Sequence, residues 1–212
     1  MSSDTDKTSF NKTTLWILAT VGIMVAFLVY QFASSPQRLS EQEARQLGLV
    51  LFDEPRALEP INLISDSGQS LAMEEFEGQW NLLFFGFTHC PDICPTTMAT
   101  LAKVNAEAME FPRVWLVTVD PRRDTASELD AYLNKFDPTF TGITGEISDI
   151  KALANQFHLP VGHAPHTTSA NYNVGHSSSL VLVDASGRHA GYIKAPHTVA
   201  GLQSIIGNLR SI

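Results

Sequence analysis

Cysteine is nearly absent from this chain, with two residues in 212. A disulfide-stapled scaffold is therefore excluded, because such a fold needs several pairs. An excess of base is absent as well: 14 Lys and Arg face 22 Asp and Glu, a net charge of -8. All of that acidity lies after residue 33, where 20 acids face 12 bases. A phosphate backbone calls for a basic surface, so no nucleic-acid partner is expected. An acidic surface serves solubility, or docking on a basic partner. There is no internal repeat and no low-complexity tract. The apolar share of 44% and charged share of 17% suit a globular domain with a membrane element.

One long hydrophobic run is present. Residues 15–33, from Leu15 to Ala33, carry no charge. A spanning helix needs about 20 residues to cross roughly 30 Å of hydrocarbon. Trp16 and Tyr30 stand near its ends, where amphipathic rings favour the interface. Lys7 and Lys12 precede the run and Arg38 and Arg45 follow it, a balance too even to set orientation. Ala33-Ser34-Ser35 offers a signal-peptide cleavage site, but the run is longer than a signal core, which favours a retained anchor. With no cysteine near this segment, a lipid-anchored lipoprotein is excluded. Either reading carries the rest of the chain across a membrane, where thiols can be oxidised.

The order of elements gives a fold class. We expect an N-terminal tail over 1–14, the anchor over 15–33, a tether over 34–56 and one domain over 57–212. Within the tether, Leu39–Gly48 reads as a short capped helix. Residues 60–71 read as a hairpin about an Asp-Ser-Gly turn, and Asn81–Thr88 as a buried strand. A helix over Pro95–Glu110, a buried strand over Val114–Val119 and a helix capped by Asp124 or Thr125 come next. A helix over Ile147–Phe157, a loop rich in His, Pro and Gly, a hairpin over residues 179–194 and a helix over Thr198–Leu209 complete the chain. This is the order of a thioredoxin-like α/β domain: a mixed sheet flanked by helices, here behind a transmembrane helix.

Both cysteines lie in one run, Thr88-His89-Cys90-Pro91-Asp92-Ile93-Cys94-Pro95, at the end of the first core strand. On a helix, residues i and i+4 share a face, so two sulfurs at this spacing can approach one soft ion from the same side. The spacing is one residue wider than the Cys-x-x-Cys of thioredoxin-type redox pairs. Pro95 suits the first turn of a following helix, whose N-terminus favours thiolate. Two thiolates leave a metal under-coordinated, and thiolate with imidazole suits copper. Seven histidines are candidates: His89, His158, His163, His166, His176, His189 and His197. His176 precedes the late strand in a loop that such a sheet turns toward the cysteines, which makes it the best placed. Asp120 and Arg122 are read as an ion pair, either bracing the cysteine loop or a plain surface salt bridge, and Asp92 as either a turn residue or a carboxylate beside the ligands. His163 and His166 read as surface loop residues in preference to an auxiliary metal site.

The run Phe84–Thr97, with its Cys-Pro-Asp-Ile-Cys-Pro-Thr-Thr string, resembles the signature of the SCO/SenC family of membrane-anchored copper chaperones for cytochrome c oxidase assembly. Val119–Thr125 is similar to that family's Asp-Pro-x-Arg-Asp-Thr stretch. Phe136-Asp137-Pro138, Thr141–Gly145 and His176-Ser177 match in order, so the resemblance covers about residues 57–212 and the anchor. It implies that Cys90, Cys94 and His176 hold one copper per chain, as Cu(I) or Cu(II). It further implies delivery of copper to the dinuclear copper-A site of oxidase subunit II, or reduction of that site's cysteines. Other copper chaperones or thiol reductants are expected partners. The N-terminus would be cytoplasmic and the domain periplasmic, or in the intermembrane space if the protein is mitochondrial. The family usually places Asp before the ligand histidine, and this chain has Gly175. A copper-free thiol–disulfide oxidoreductase and a redox sensor remain open, whereas the close cysteine spacing argues against a peroxidase.

Overall fold

The computed structural model describes residues 11–34, 39–108, 110–162, 174–175 and 177–209. The chain divides into two units, Met1–Arg38 and Leu39–Ile212. In the first, helix α1 spans Lys12–Ser34. It is long and apolar enough to cross a membrane, and Leu15, Trp16, Ile23, Phe27 and Tyr30 are all exposed. Its one hydroxyl in mid-run, Thr20, donates back to the carbonyls of Trp16 and Ile17, so the helix satisfies it internally.

The second unit is built on one eight-stranded sheet in the order β1-β8-β7-β4-β5-β6-β2-β3. Its strands are β1 (Leu49–Arg56), β2 (Leu63–Ser65), β3 (Ser70–Leu71), β4 (Asn81–Gly86), β5 (Arg113–Thr118), β6 (Thr141–Thr144), β7 (Leu180–Val183) and β8 (His189–Ile193). β4, β5 and β6 run parallel at the centre, and β7 lies antiparallel against β4. The helices are α2 (Glu41–Gln46), α3 (Ile93–Glu107), α4 (Ala126–Leu133), α5 (Ile147–Gln156) and α6 (Val199–Leu209).

Strand periodicity assigns the two faces of the sheet. Leu82 and Phe84 of β4 point into a layer with Met98 and Leu101 of α3, Leu129 of α4 and Ile205 of α6. Leu83 and Phe85 point the other way, against Ile150 and Leu153 of α5 and Phe157. A strand buried on both faces can afford no polar residue in its middle, which is why β4 reads as a continuous apolar run. Each of its wholly buried Phe and Leu side chains contributes about 1.5–3 kcal/mol of burial. This is the thioredoxin-like mixed sheet expected from the sequence.

The short capped helix read within 34–56 is present as α2, closed by a Ser40–Glu43 capping box, but the rest of that stretch is corrected: it holds the edge strand β1 and is not a tether. Leu49, Val50 and Leu51 pair with Ile193, Tyr192 and Gly191, so the sheet begins before residue 57. Pro55 and the acids Asp53 and Glu54 are tolerated because an edge strand leaves one side of its backbone unpaired. β6 was not foreseen either. It is four residues long and includes Gly142, where a Cβ would come within 2.7 Å of the Leu129 side chain.

His189 of β8 is wholly buried, its ring edge-on to Phe52, Phe157 and Tyr192 at centroid distances of 4.8, 4.9 and 4.8 Å. Burial, with smaller contributions from the nearby Arg56 and His158, lowers its pKa from 6.5 to about 4. The folded chain thus keeps this ring neutral. Below pH 6.5 the unfolded chain takes up a proton that the fold refuses, so stability is complete above 6.5 and is lost as pH falls toward 4. We predict that the stability of wild type relative to His189→Phe, from urea melts, declines by on the order of 3 kcal/mol between pH 7 and pH 4. A gap that does not change with pH would contradict this.

Candidate metal centre

The two cysteines sit where β4 hands over to α3. β4 ends at Gly86, and the chain turns back on itself as the Cys90 amide donates to the Phe87 carbonyl at 3.2 Å. α3 opens at Ile93, so Cys94 and Pro95 occupy its first turn and Cys90 stands outside the helix. The expected pairing on one helical face is replaced by a loop–helix pair. The sulfurs are thiols, not a disulfide. Cys90 is half-buried and Cys94 has no exposed surface.

Gly86 makes room for the inner sulfur. A Cβ on residue 86 would lie 2.8 Å from Cys94 Sγ and 3.0 Å from the Phe84 ring. Burial pushes the Cys94 thiol far above its ordinary range. A hydrogen bond from the Phe87 backbone acts against this, and the neighbouring Cys90 side chain adds to the rise. Cys94 therefore needs a compensating positive charge to hold its thiolate, and a bound metal cation supplies one.

Asp124 fixes the loop. It precedes α4, whose N-cap is Thr125, and it is wholly buried. Its carboxylate accepts from the Thr88 amide at 3.0 Å, the Thr88 hydroxyl at 2.6 Å and the Thr118 hydroxyl at 2.7 Å. Three donors from two adjacent strand ends thus converge on one anion. His89 Nδ1 lies 2.9 Å from Thr88 Oγ1. The Thr88 hydroxyl has one proton, which goes to Asp124, so His89 Nδ1 must be the donor here. The His89 ring is half-exposed, next to Cys90 in the chain.

The foreseen partner of Asp120 is replaced. Asp120 pairs with Arg123, whose guanidinium also lies 5.6 Å from the Phe87 ring centre, while Arg122 is exposed. The helical turn explains this, since i and i+3 meet and i and i+2 do not. Asp92 is exposed and makes no side-chain cap bond to α3.

His176 lies outside the described residues, as do His163 and His166. Its neighbours are described. Val174 is buried in the layer that Cys90 packs against, together with Phe87 and Leu159. Gly162 donates to the Gly175 carbonyl at 2.7 Å, and a Cβ on Gly162 would meet Gly175 backbone atoms at 3.0 Å. A Cβ on Gly175 itself meets nothing within 4 Å among the described residues. The other histidines are engaged elsewhere. His158 contacts Arg56 at 2.7 Å, His189 fills its aromatic cage, and His197 Nε2 contacts the Ser178 carbonyl at 2.8 Å. Among the described residues no group of three or more His, Cys, Asp or Glu gathers as a metal site. They supply two soft donors. Asp124 and Gly86 were not identified as site residues from sequence. For Asp124 the available signal was its place four residues after Asp120 at a strand end.

The model of the SCO1/SenC family matches residues 53–210. A protein of Stutzerimonas stutzeri named for copper binding is 36% identical over 165 residues, covering 76% of this chain and 80% of that protein. The mitochondrial SCO2 homologue of Danio rerio is 30% identical over 168 residues, covering 77% of this chain and 59% of that one. The crystal structure of Arabidopsis thaliana ScoI with copper bound superposes with a TM-score of 0.65 at 29% identity, over 73% of this chain and 98% of the other.

The loop's dependence on Asp124 is testable. Asp124→Asn keeps the shape but trades one charged acceptor for a donor, leaving the part-buried Thr88 hydroxyl and the buried Thr118 hydroxyl poorly satisfied. We predict a loss of about 2–4 kcal/mol in denaturant unfolding, with faster amide exchange at Thr88. Unchanged exchange there would show that the loop is held by something else.

Proposed function

The chain belongs to the SCO1/SenC family, and on that premise we propose that it is a membrane-anchored copper carrier for cytochrome c oxidase assembly. The cargo is one copper ion, held by Cys90, Cys94 and His176. The observation that carries this reading is the pair of cysteines that follows β4, one half-buried and one sealed from solvent. Soft sulfur donors with imidazole select copper over hard cations. The burial of Val174 in the layer that Cys90 touches supports His176 as the third donor.

The geometry suggests how cargo moves. Cys90 is the sulfur a partner can reach, so an incoming or departing copper exchanges ligands there while Cys94 keeps hold from below. Only the dithiol binds the metal. Oxidation joins the sulfurs and removes both donors, so redox state gates loading. The recipient is the dinuclear copper-A site of oxidase subunit II, and the acidic surface suits a basic docking face on that partner. Helix α1 acts as the anchor, its apolar surface exposed on all sides, with the N-terminus cytoplasmic and the domain in the periplasm or intermembrane space. The folded carrier domain then starts at Leu39.

The same thiols support a second reading, favoured by their unequal exposure. Cys90 thiolate attacks a partner disulfide and forms a mixed disulfide, releasing one partner thiol. Cys94 then attacks Cys90, which releases the second partner thiol and leaves Cys90–Cys94 oxidised. Two electrons pass from this chain to the partner. Reduction of the copper-A cysteines would have this form.

Anaerobic Cu(I) titration of the full chain in detergent separates the two readings. We predict one copper per wild-type chain, abolition of tight binding in Cys90→Ser and Cys94→Ser, and marked weakening in His176→Ala. A wild type that takes up no copper yet reduces disulfides would leave only the oxidoreductase reading. Unchanged affinity in His176→Ala would remove the histidine.

A further inference from the structure

His197 stands in the link between β8 and α6. Thr198, next to it, caps that helix: its hydroxyl accepts from the Gly201 amide at 3.1 Å and its carbonyl from the Leu202 amide at 2.9 Å. The start of α6 therefore fixes where the His197 ring can go. That ring is half-buried in a crevice between the Leu47–Gly48 corner and the first turns of α6, with Gly201 and Leu202 in its wall. Its Nε2 lies 2.8 Å from the Ser178 carbonyl oxygen, an atom that can only accept, so Nε2 carries the proton and donates. Its Nδ1 is sealed from solvent without a hydrogen-bond partner among the described residues. An apolar ring would fill the same space without that unmet nitrogen, so the Nε2 bond is what the imidazole contributes here.

What the bond holds is the approach to the metal centre. β7 runs antiparallel to β4, and its first residue, Leu180, stands opposite Phe84, two residues before the end of the strand from which the cysteine loop departs. Leu180 also makes the last pairing of β7 with β8, against Ile193. Ser178 therefore lies beyond the ladder on both sides, where a strand carbonyl has no ladder partner. His197 supplies the donor from a side chain. Only Ser177 separates Ser178 from His176. Before His176, the Gly175 carbonyl accepts from the Gly162 amide at 2.7 Å. The third donor is thus carried between two pinned carbonyls, one on each side of it in the chain.

We propose that His197 is a positioning residue for the metal centre: its Nε2–H, by holding the Ser178 carbonyl, fixes the strand end that presents His176 to the two cysteines. The inference rests on the copper reading above, with His176 as the third ligand. That imidazole comes from a part of the chain far from the sulfurs in sequence. Ordering its segment only when metal arrives would subtract the lost backbone freedom from the binding energy. Holding the segment beforehand removes that subtraction, and the gain shows as affinity. His197 does this without touching the ion, through one side-chain bond to a backbone oxygen.

Cu(I) competition with a chromophoric chelator, on the full chain in detergent, tests this. His197→Phe keeps a ring and loses the donor, and its copper affinity should fall about tenfold. In a His176→Ala background the same change should have no effect, because no imidazole is left to position. His197→Gln, whose side-chain amide donates from nearly the place of Nε2, should regain most of the affinity. A loss of equal size with and without His176, or no loss in either, would overturn the proposal while wild-type loading left the copper reading intact. A glutamine variant as weak as the phenylalanine one would also overturn it, because the ring and not its N–H would then matter. If His197→Phe does not fold, His197→Asn, with an amide too short to reach Ser178, takes its place under the same expectations. A wild type that binds no copper, or a His176→Ala chain that binds it as tightly as wild type, would remove the proposal with its premise, and both results are visible before any His197 variant is made.

Discussion

Asp124 holds a carboxylate out of water and gathers donors from two neighbouring strand ends, the Thr88 amide and hydroxyl after β4 and the Thr118 hydroxyl of β5. Everything about the cysteine loop follows from that convergence. An anion buried at 0% exposure is tolerated only where its acceptor sites are filled, and filling them locks Thr88 in place. With Thr88 fixed, His89 has its ring orientation chosen for it, and Cys90 begins the turn into α3 from a defined point. Thr144 completes the arrangement by donating to the Asp124 carbonyl at 3.1 Å, which ties the third parallel strand to the same residue.

The loop presents its sulfurs unequally, and that inequality is what a carrier needs. A pair with both sulfurs open would exchange readily and retain poorly. A pair with both sealed would retain cargo without access. Here Gly86 lets Cys94 settle against the strand, while Cys90 stays within reach of solvent. The inner sulfur resists ionisation by burial, the neighbouring Cys90 side chain adding to the effect.

Much of this was legible in the sequence for identifiable reasons. Strands β4, β5 and β7 announce themselves because both faces are buried, which leaves near-continuous apolar runs. The cysteine string is dense enough to mark the site on its own. The edge strand β1 was not legible, because its partner β8 lies about 140 residues on and its Asp-Glu-Pro segment reads as linker. β6 was missed because four residues with a glycine carry no period. Asp124 was read as one of two candidate helix caps, since sequence cannot tell a cap at the surface from a carboxylate drawn beneath it. The Asp120 pairing failed by one residue, which is the difference between adjacent arginines on a tight turn.

The central claim is that two sulfurs of one loop and one imidazole share a single copper ion. X-ray absorption at the copper edge, on the full chain loaded with one equivalent of Cu(I), tests it most directly. The account predicts a first shell of two sulfur scatterers and one nitrogen scatterer with imidazole outer-shell features, and no copper–copper vector. A shell of nitrogen and oxygen alone, or a sulfur-only shell with a short copper–copper distance, would contradict it.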